Sequence, residues 1–116
     1  AEHLFKNPEE FSEAWNFGPY DRDVRPVDWI LDQMTTLWPG ASWSLDRNDN
    51  PHEARMLKLD ISKASAMLGW APTWDLNVTL GKVVRWQKCW LEGVDMRHEC
   101  INEINEFIKD MKYANN

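Results

Sequence analysis

Apolar residues recur along this chain with two rhythms, and the clearer one is helical. From Pro26 to Trp38, the residues Val27, Ile30, Leu31, Met34, Leu37 and Trp38 fall on one stripe, the spacing that lines one face of a helix. Pro26 suits the first turn of that helix, and Pro39-Gly40 stops it. Asp60 or Ser62 can cap a short helix through Leu68, with Gly69 as a left-handed stop. Asp75 caps a longer one through Leu91, with Leu76, Leu80, Val83, Val84, Trp90 and Leu91 on one face and Gly93 beyond its end. The last helix runs from Met96 to Lys112. Its stripe of Cys100, Ile101, Ile104, Phe107, Ile108 and Met111 is the cleanest in the chain.

The second rhythm is short and extended. Glu13-Ala14-Trp15-Asn16-Phe17 reads as a strand stopped by Gly18-Pro19, and Met56-Leu57-Lys58-Leu59 reads as another. The strands of Trp15 and Leu57 could pair, and Ser42 to Leu45 is a further short candidate. Residues 1–5 read as the tail of a helix that ends at Asn7-Pro8, because the residue before proline is pushed out of helix. Asp46 to Pro51 is a polar loop of turn formers. The expected fold is therefore α/β, a small lobe of few short strands and about four helices. With no repeat and no long linker, the chain reads as a single unit, 1–116.

Composition narrows the function. Apolar residues are 43% and charged residues 28%, the balance of a globular protein with a packed core. No apolar run approaches a membrane span, and no apolar stretch follows Ala1-Glu2-His3, so a cytoplasmic chain without a membrane partner is expected. Thirteen basic against 19 acidic residues, net −6, oppose a nucleic-acid partner, which needs a basic surface. They leave room for a nucleotide, since one well-placed Arg can hold a diphosphate. Cys89 and Cys100 read as free thiols. Eight tryptophans supply large apolar rings for packing, and one of them could instead stack on a base.

Motifs for catalysis are missing. The five glycines are scattered, so there is neither a dinucleotide turn nor a phosphate loop. His3, His52 and His98 lack metal-ligand spacing, there is no Cys-x-x-Cys pair, and no metal site is expected. No nucleophile elbow is present. Carboxylate pairs such as Asp21 with Asp23 sit in loops, where they read as solvated turn residues.

Three segments together carry a resemblance. They are Glu13 to Pro19 (Glu-Ala-Trp-Asn-Phe-Gly-Pro), His52 to Asp60 (His-Glu-Ala-Arg-Met-Leu-Lys-Leu-Asp), and Ile61-Ser62-Lys63-Ala64 with Leu68-Gly69-Trp70-Ala71-Pro72. The chain resembles the carboxy-terminal, substrate-binding lobe of extended short-chain dehydrogenase/reductase enzymes acting on nucleotide sugars, most closely the branch taking CDP-glucose. The resemblance runs from about Leu4 to Ile108. It implies a nucleotide-sugar partner, with Glu53 accepting from the ribose and His52 and Arg55 beside it. The same residues also fit an ordinary surface loop. It implies NAD in the whole enzyme, bound by a Rossmann lobe that this stretch lacks. The catalytic Tyr-x-x-x-Lys pair is lacking too, since neither Tyr20 nor Tyr113 has Lys four residues on. No catalytic or cofactor-binding residue is therefore expected here. Two other readings stay open: a UDP, dTDP or GDP sugar in place of the cytidine one, and a helical interaction module whose last two amphipathic helices bind a partner or form a homodimer.

Overall fold

The computed structural model describes residues 1–46 and 58–114. Among them are six α-helices, one 3₁₀ turn and no strand. The helices are α1 (Glu2–Lys6), α2 (Pro8–Phe11), α3 (Val27–Leu37), α4 (Ser62–Leu68), α5 (Leu76–Leu91) and α6 (Met96–Ala114). The 3₁₀ turn is Asp21–Asp23.

Local chemistry sets the helix ends where the sequence places them. Asp75 Oδ1 accepts from the Val78 N–H at 2.8 Å and caps α5, satisfying one of the orphan donors of the first turn. Asp95 does the same for α6, accepting from Arg97 N at 3.0 Å. Helix α4 stops at Gly69, whose φ of +61° lies in the left-handed region. The next residue, Trp70, donates its N–H back to the Ala64 carbonyl at 3.3 Å, which satisfies a carbonyl left open at the end of the helix. Pro8 opens α2, where its missing N–H costs nothing. That second short helix was not expected after Asn7-Pro8. Proline ends one helix and suits the first turn of the next, and periodicity over four residues cannot choose between the two.

The α/β expectation is corrected. Residues 13–17 form no strand: Trp15 Nε1 donates to the Phe11 carbonyl at 3.1 Å, and Lys63 Nζ donates to the Ala14 carbonyl at 3.2 Å. The Lys63 side chain thus takes the place a neighbouring strand would fill at Ala14, and the Trp15 indole folds back on the end of α2. Ser42 to Leu45 is likewise irregular, and Trp43 Nε1 ties it back to Asp32 Oδ1 on α3 at 2.9 Å. Of the proposed strand at 56–59, Met56 and Leu57 lie outside the described residues, so its pairing with Trp15 does too; Lys58 and Leu59 are irregular.

The helices pack sparsely. α3 and α6 both lie on α5. Lys88 on α5 donates to the Leu37 carbonyl at 3.0 Å, a cation at the negative end of α3. Only Phe11, Ala64, Leu80 and Val84 are buried among the described apolar residues. The stripe of α5 is split, with Leu80 and Val84 inside while Val83, Trp90 and Leu91 face solvent. The radius of gyration is 17.8 Å, against about 13 Å for a compact domain of this length. Accessible surface is 9672 Å², where a compact monomer of this mass would show roughly 6,600 Å².

Candidate functional site

Two of the three motif segments meet. Lys63, in the first turn of α4, reaches across to residues 13–15: its Nζ contacts the Glu13 carboxylate, bonds the Ala14 carbonyl and lies 4.5 Å from the Trp15 ring centroid. The structure thus makes Lys63 the tie between the segments. A lysine in the first turn of a helix carries no local signal of the aromatic it will meet. Gly18 lies against Leu59 and Ile61, and a Cβ added there would come within 3.4 Å of Leu59 Cβ. Any larger side chain would push the strip of residues 17–19 away from residues 59–61. Trp70, beyond the α4 stop, stands edge-on to Phe17 at 5.1 Å, a favoured aromatic geometry.

Where these strips diverge they leave an open cleft of about 590 Å³, lined by Pro19, Tyr20, Asp21 and Arg22 on one side and Lys58 to Ser62 on the other. Its walls carry both charges. Lys58 Nζ pairs with Asp21 Oδ2 at 2.8 Å, and that hydrogen bond raises the lysine above its ordinary pKa. Asp60 accepts from Ser62, which holds its carboxyl below the usual carboxylate range. The Arg22 guanidinium lies 4.8 Å over the Tyr20 ring. Arg22 and Lys58 could hold an anionic group, Asp21 and Asp60 could accept from hydroxyls, and Tyr20 offers a flat face. Neither Arg22 nor Lys58 was singled out from the sequence, because nothing local brings residue 22 to residue 58. His52, Glu53 and Arg55 lie outside the described residues. Lys58, on the cleft wall, is three residues beyond Arg55 in the chain.

A second polar cluster lies between α5 and α6. Lys82 and Arg85 of α5 face Glu99 and Glu106 of α6. Arg85 Nη2 is 2.7 Å from Glu99 Oε1, but the approach is off hydrogen-bond angle and that oxygen makes no hydrogen bond, so the contact is ionic. Burial pulls Arg85 down, and Glu99 and Glu106 more than reverse it. Hydrogen bonding from Lys82 lowers Glu106. Trp74 locks the start of α5 to the same helix, with Nε1 on Asp110 Oδ2 at 2.9 Å and its ring edge-on to Phe107 at 5.1 Å. This cluster is a helix-to-helix tie. Among the described residues no group of three or more His, Cys, Asp or Glu side chains could hold a metal ion, and no helix is long and apolar enough to cross a membrane.

Fold and cleft together define a small helical unit with an open mixed-charge cleft and ties that are structural in character. No family model matches the chain. A curated relative, the CDP-glucose 4,6-dehydratase of Salmonella typhimurium (strain LT2), is 49% identical over 109 residues, 93% of this chain. The resemblance read from the motif segments is borne out by that similarity. The chain spans about a third of that relative, the match covering 30% of its length.

Proposed function

We propose that this chain is the nucleotide-sugar-binding part of a CDP-glucose 4,6-dehydratase, corresponding to the carboxy-terminal third of such an enzyme. The observation that carries the reading is 49% identity across 93% of the chain, which includes all three motif segments. The open, surface-rich fold supports it: a lobe that packs on a larger body leaves apolar side chains uncovered when taken alone.

In the whole enzyme the net reaction is loss of water from CDP-glucose, leaving a 4-keto-6-deoxy sugar, with NAD as the hydride carrier. The described residues do not fit NAD, for they hold no strand running into a Gly-rich turn at a helix start, which the pyrophosphate of a dinucleotide needs. No step of the reaction is assigned to them. Their task is to bind and orient. Glu53 accepts from the ribose hydroxyls, and Arg55 with His52 meets the diphosphate. Lys58, three residues beyond Arg55 in the chain, and Arg22, which lines the same cleft as Lys58, supply further cations. The lobe works in the cytoplasm, where sugar nucleotides are made.

A backbone amide NMR titration with CDP, using UDP and dTDP as controls, tests this. Selective shifts at His52, Glu53, Arg55 and Lys58 with CDP are expected, and they should be lost in Glu53→Ala. Equal shifts with all three nucleotides would remove the cytidine assignment. No shift at millimolar ligand would overturn the binding role of this chain, and product formed from CDP-glucose by this chain with NAD would overturn the purely binding role.

A further inference from the structure

The open cleft holds two cations, and the chain keeps them differently. Arg22 is loosely held. Its guanidinium lies over the Tyr20 ring and 4.0 Å from the Asp23 carboxylate, with the side chain 76% exposed. An anion entering the cleft can meet it without displacing a close partner. Lys58 is engaged. Its Nζ donates to Asp21 Oδ2 at 2.8 Å, so this ion pair runs from one wall of the cleft to the other. Both members are open to water: the Lys58 side chain is 51% exposed and that of Asp21 80%. An incoming anion can therefore reach the pair, and the pair already contains an anion.

Of the two carboxylates on the cleft walls, only Asp21 bonds to the lysine. Asp60, two residues beyond Lys58, spends its Oδ1 on the Ser62 N–H at 2.9 Å. Asp21 sits at the start of the 3₁₀ turn, whose backbone is closed by two hydrogen bonds. Asp23 N–H donates to the Tyr20 carbonyl at 2.8 Å, and Val24 N–H to the Asp21 carbonyl at 3.2 Å. The Asp21 side chain can thus leave Lys58 by rotating, with the turn intact. A phosphate oxygen that bonds Lys58 Nζ has two choices. It takes the place of Asp21 Oδ2, or it sits beside a like charge. Both choices cost affinity, and both costs come from the same carboxylate.

We propose that Asp21 is a built-in competitor for anions at this cleft: Lys58 is held by Asp21 and changes over to a phosphate group of the incoming ligand, so that Asp21 sets how tightly a diphosphate is bound. The ligand class rests on the nucleotide-sugar reading above, and the opposing role of Asp21 goes beyond it. Exposure fixes the size of the effect. An ion pair this open to water is weak, so its loss raises anion affinity by about two- to fivefold and no more.

Isothermal titration calorimetry of the full chain with CDP, inorganic pyrophosphate and cytidine tests it. Asp21→Asn should bind CDP and pyrophosphate about two- to fivefold more tightly than the parent chain, with cytidine unchanged. Asp21→Ser should do the same, since serine also suits a turn. In a Lys58→Gln background the gain from Asp21→Asn should be smaller, because only the like charge is then removed. Weaker CDP binding in both Asp21 variants would overturn the proposal and make Asp21 an acceptor for the ligand's hydroxyls. Unchanged affinity, a gain undiminished by Lys58→Gln, or no binding of CDP or pyrophosphate to any of these chains at millimolar concentration would overturn it too. The nucleotide reading is judged separately. If both anions gain but CDP binds no tighter than pyrophosphate, the competitor role stands and the cytidine assignment falls. If CDP binds selectively but no tighter to Asp21→Asn, the assignment stands and the competitor role falls.

Discussion

The same substitution at two glycines should move stability in opposite directions. Gly69 and Gly81 each have nothing within 4 Å of where a Cβ would stand, so steric contact drops out and only the backbone decides. Gly69 sits at φ +61° after α4. An L side chain there costs about 1–2 kcal/mol, because Cβ crowds the following carbonyl. Gly81 lies inside α5 with ordinary helical geometry. Alanine there removes conformational freedom from the unfolded chain and is worth about 0.5–1 kcal/mol. Gly69→Ala should therefore lower the midpoint of thermal unfolding, and Gly81→Ala should raise it. At about 4–8 °C per kcal/mol for a domain of this size, the fall at Gly69 should be about 4–16 °C and the rise at Gly81 about 2–8 °C. Gly69→Asn should lose less than Gly69→Ala, since asparagine tolerates the left-handed region. Circular dichroism at 222 nm, followed through melting of the three variants and the parent chain, reads all of this. A Gly69→Ala protein as stable as the parent would refute the left-handed stop. Midpoints moving in the same direction for Gly69→Ala and Gly81→Ala would refute the claim that backbone geometry alone separates the two sites.

Lys63→Met should free residues 13–17 from α4, seen as a change in near-ultraviolet dichroism from Trp15. The double-mutant cycle with Glu13→Gln should give a coupling of no more than about 1 kcal/mol, because both side chains are about half exposed; a larger coupling would mean that the pair is drier than its exposure indicates. Glu106 is lowered by Lys82 and then Arg85. A carboxylate depressed in the folded state contributes stability that is present above its unfolded pKa, about 4.3, and lost as pH falls through the lower folded value. Acid unfolding monitored below that pH should thus be less steep in Glu106→Gln, and an unchanged acid limb would remove Glu106 from the α5–α6 tie.

Much of the helical framework was legible because the signals that end helices are local. Asp75 needs only the three residues after it to cap α5, and Gly69 needs only its own missing Cβ to stop α4. The motif segments were legible as a resemblance, and a relative 49% identical bears them out. The strand at residues 13–17 was misread because alternation and aromatic content describe what a segment could pair with. Whether a partner strand is there is a tertiary fact, and here Lys63 meets the Ala14 carbonyl instead.

By itself, then, the sequence determined that α3 to α6 are helical, where they stop, and which family's motifs the chain carries, since each depends on residues within a turn or two of one another. Only the tertiary structure decided that Lys58 and Arg22 share a cleft, that Lys63 ties α4 to residues 13–15, and that α6 turns its carboxylates inward and its isoleucines out. A stripe of isoleucines at helical spacing says that the face will be covered. It cannot say by what, because burial is a property of the two surfaces that meet, and a helix sequence describes one of them.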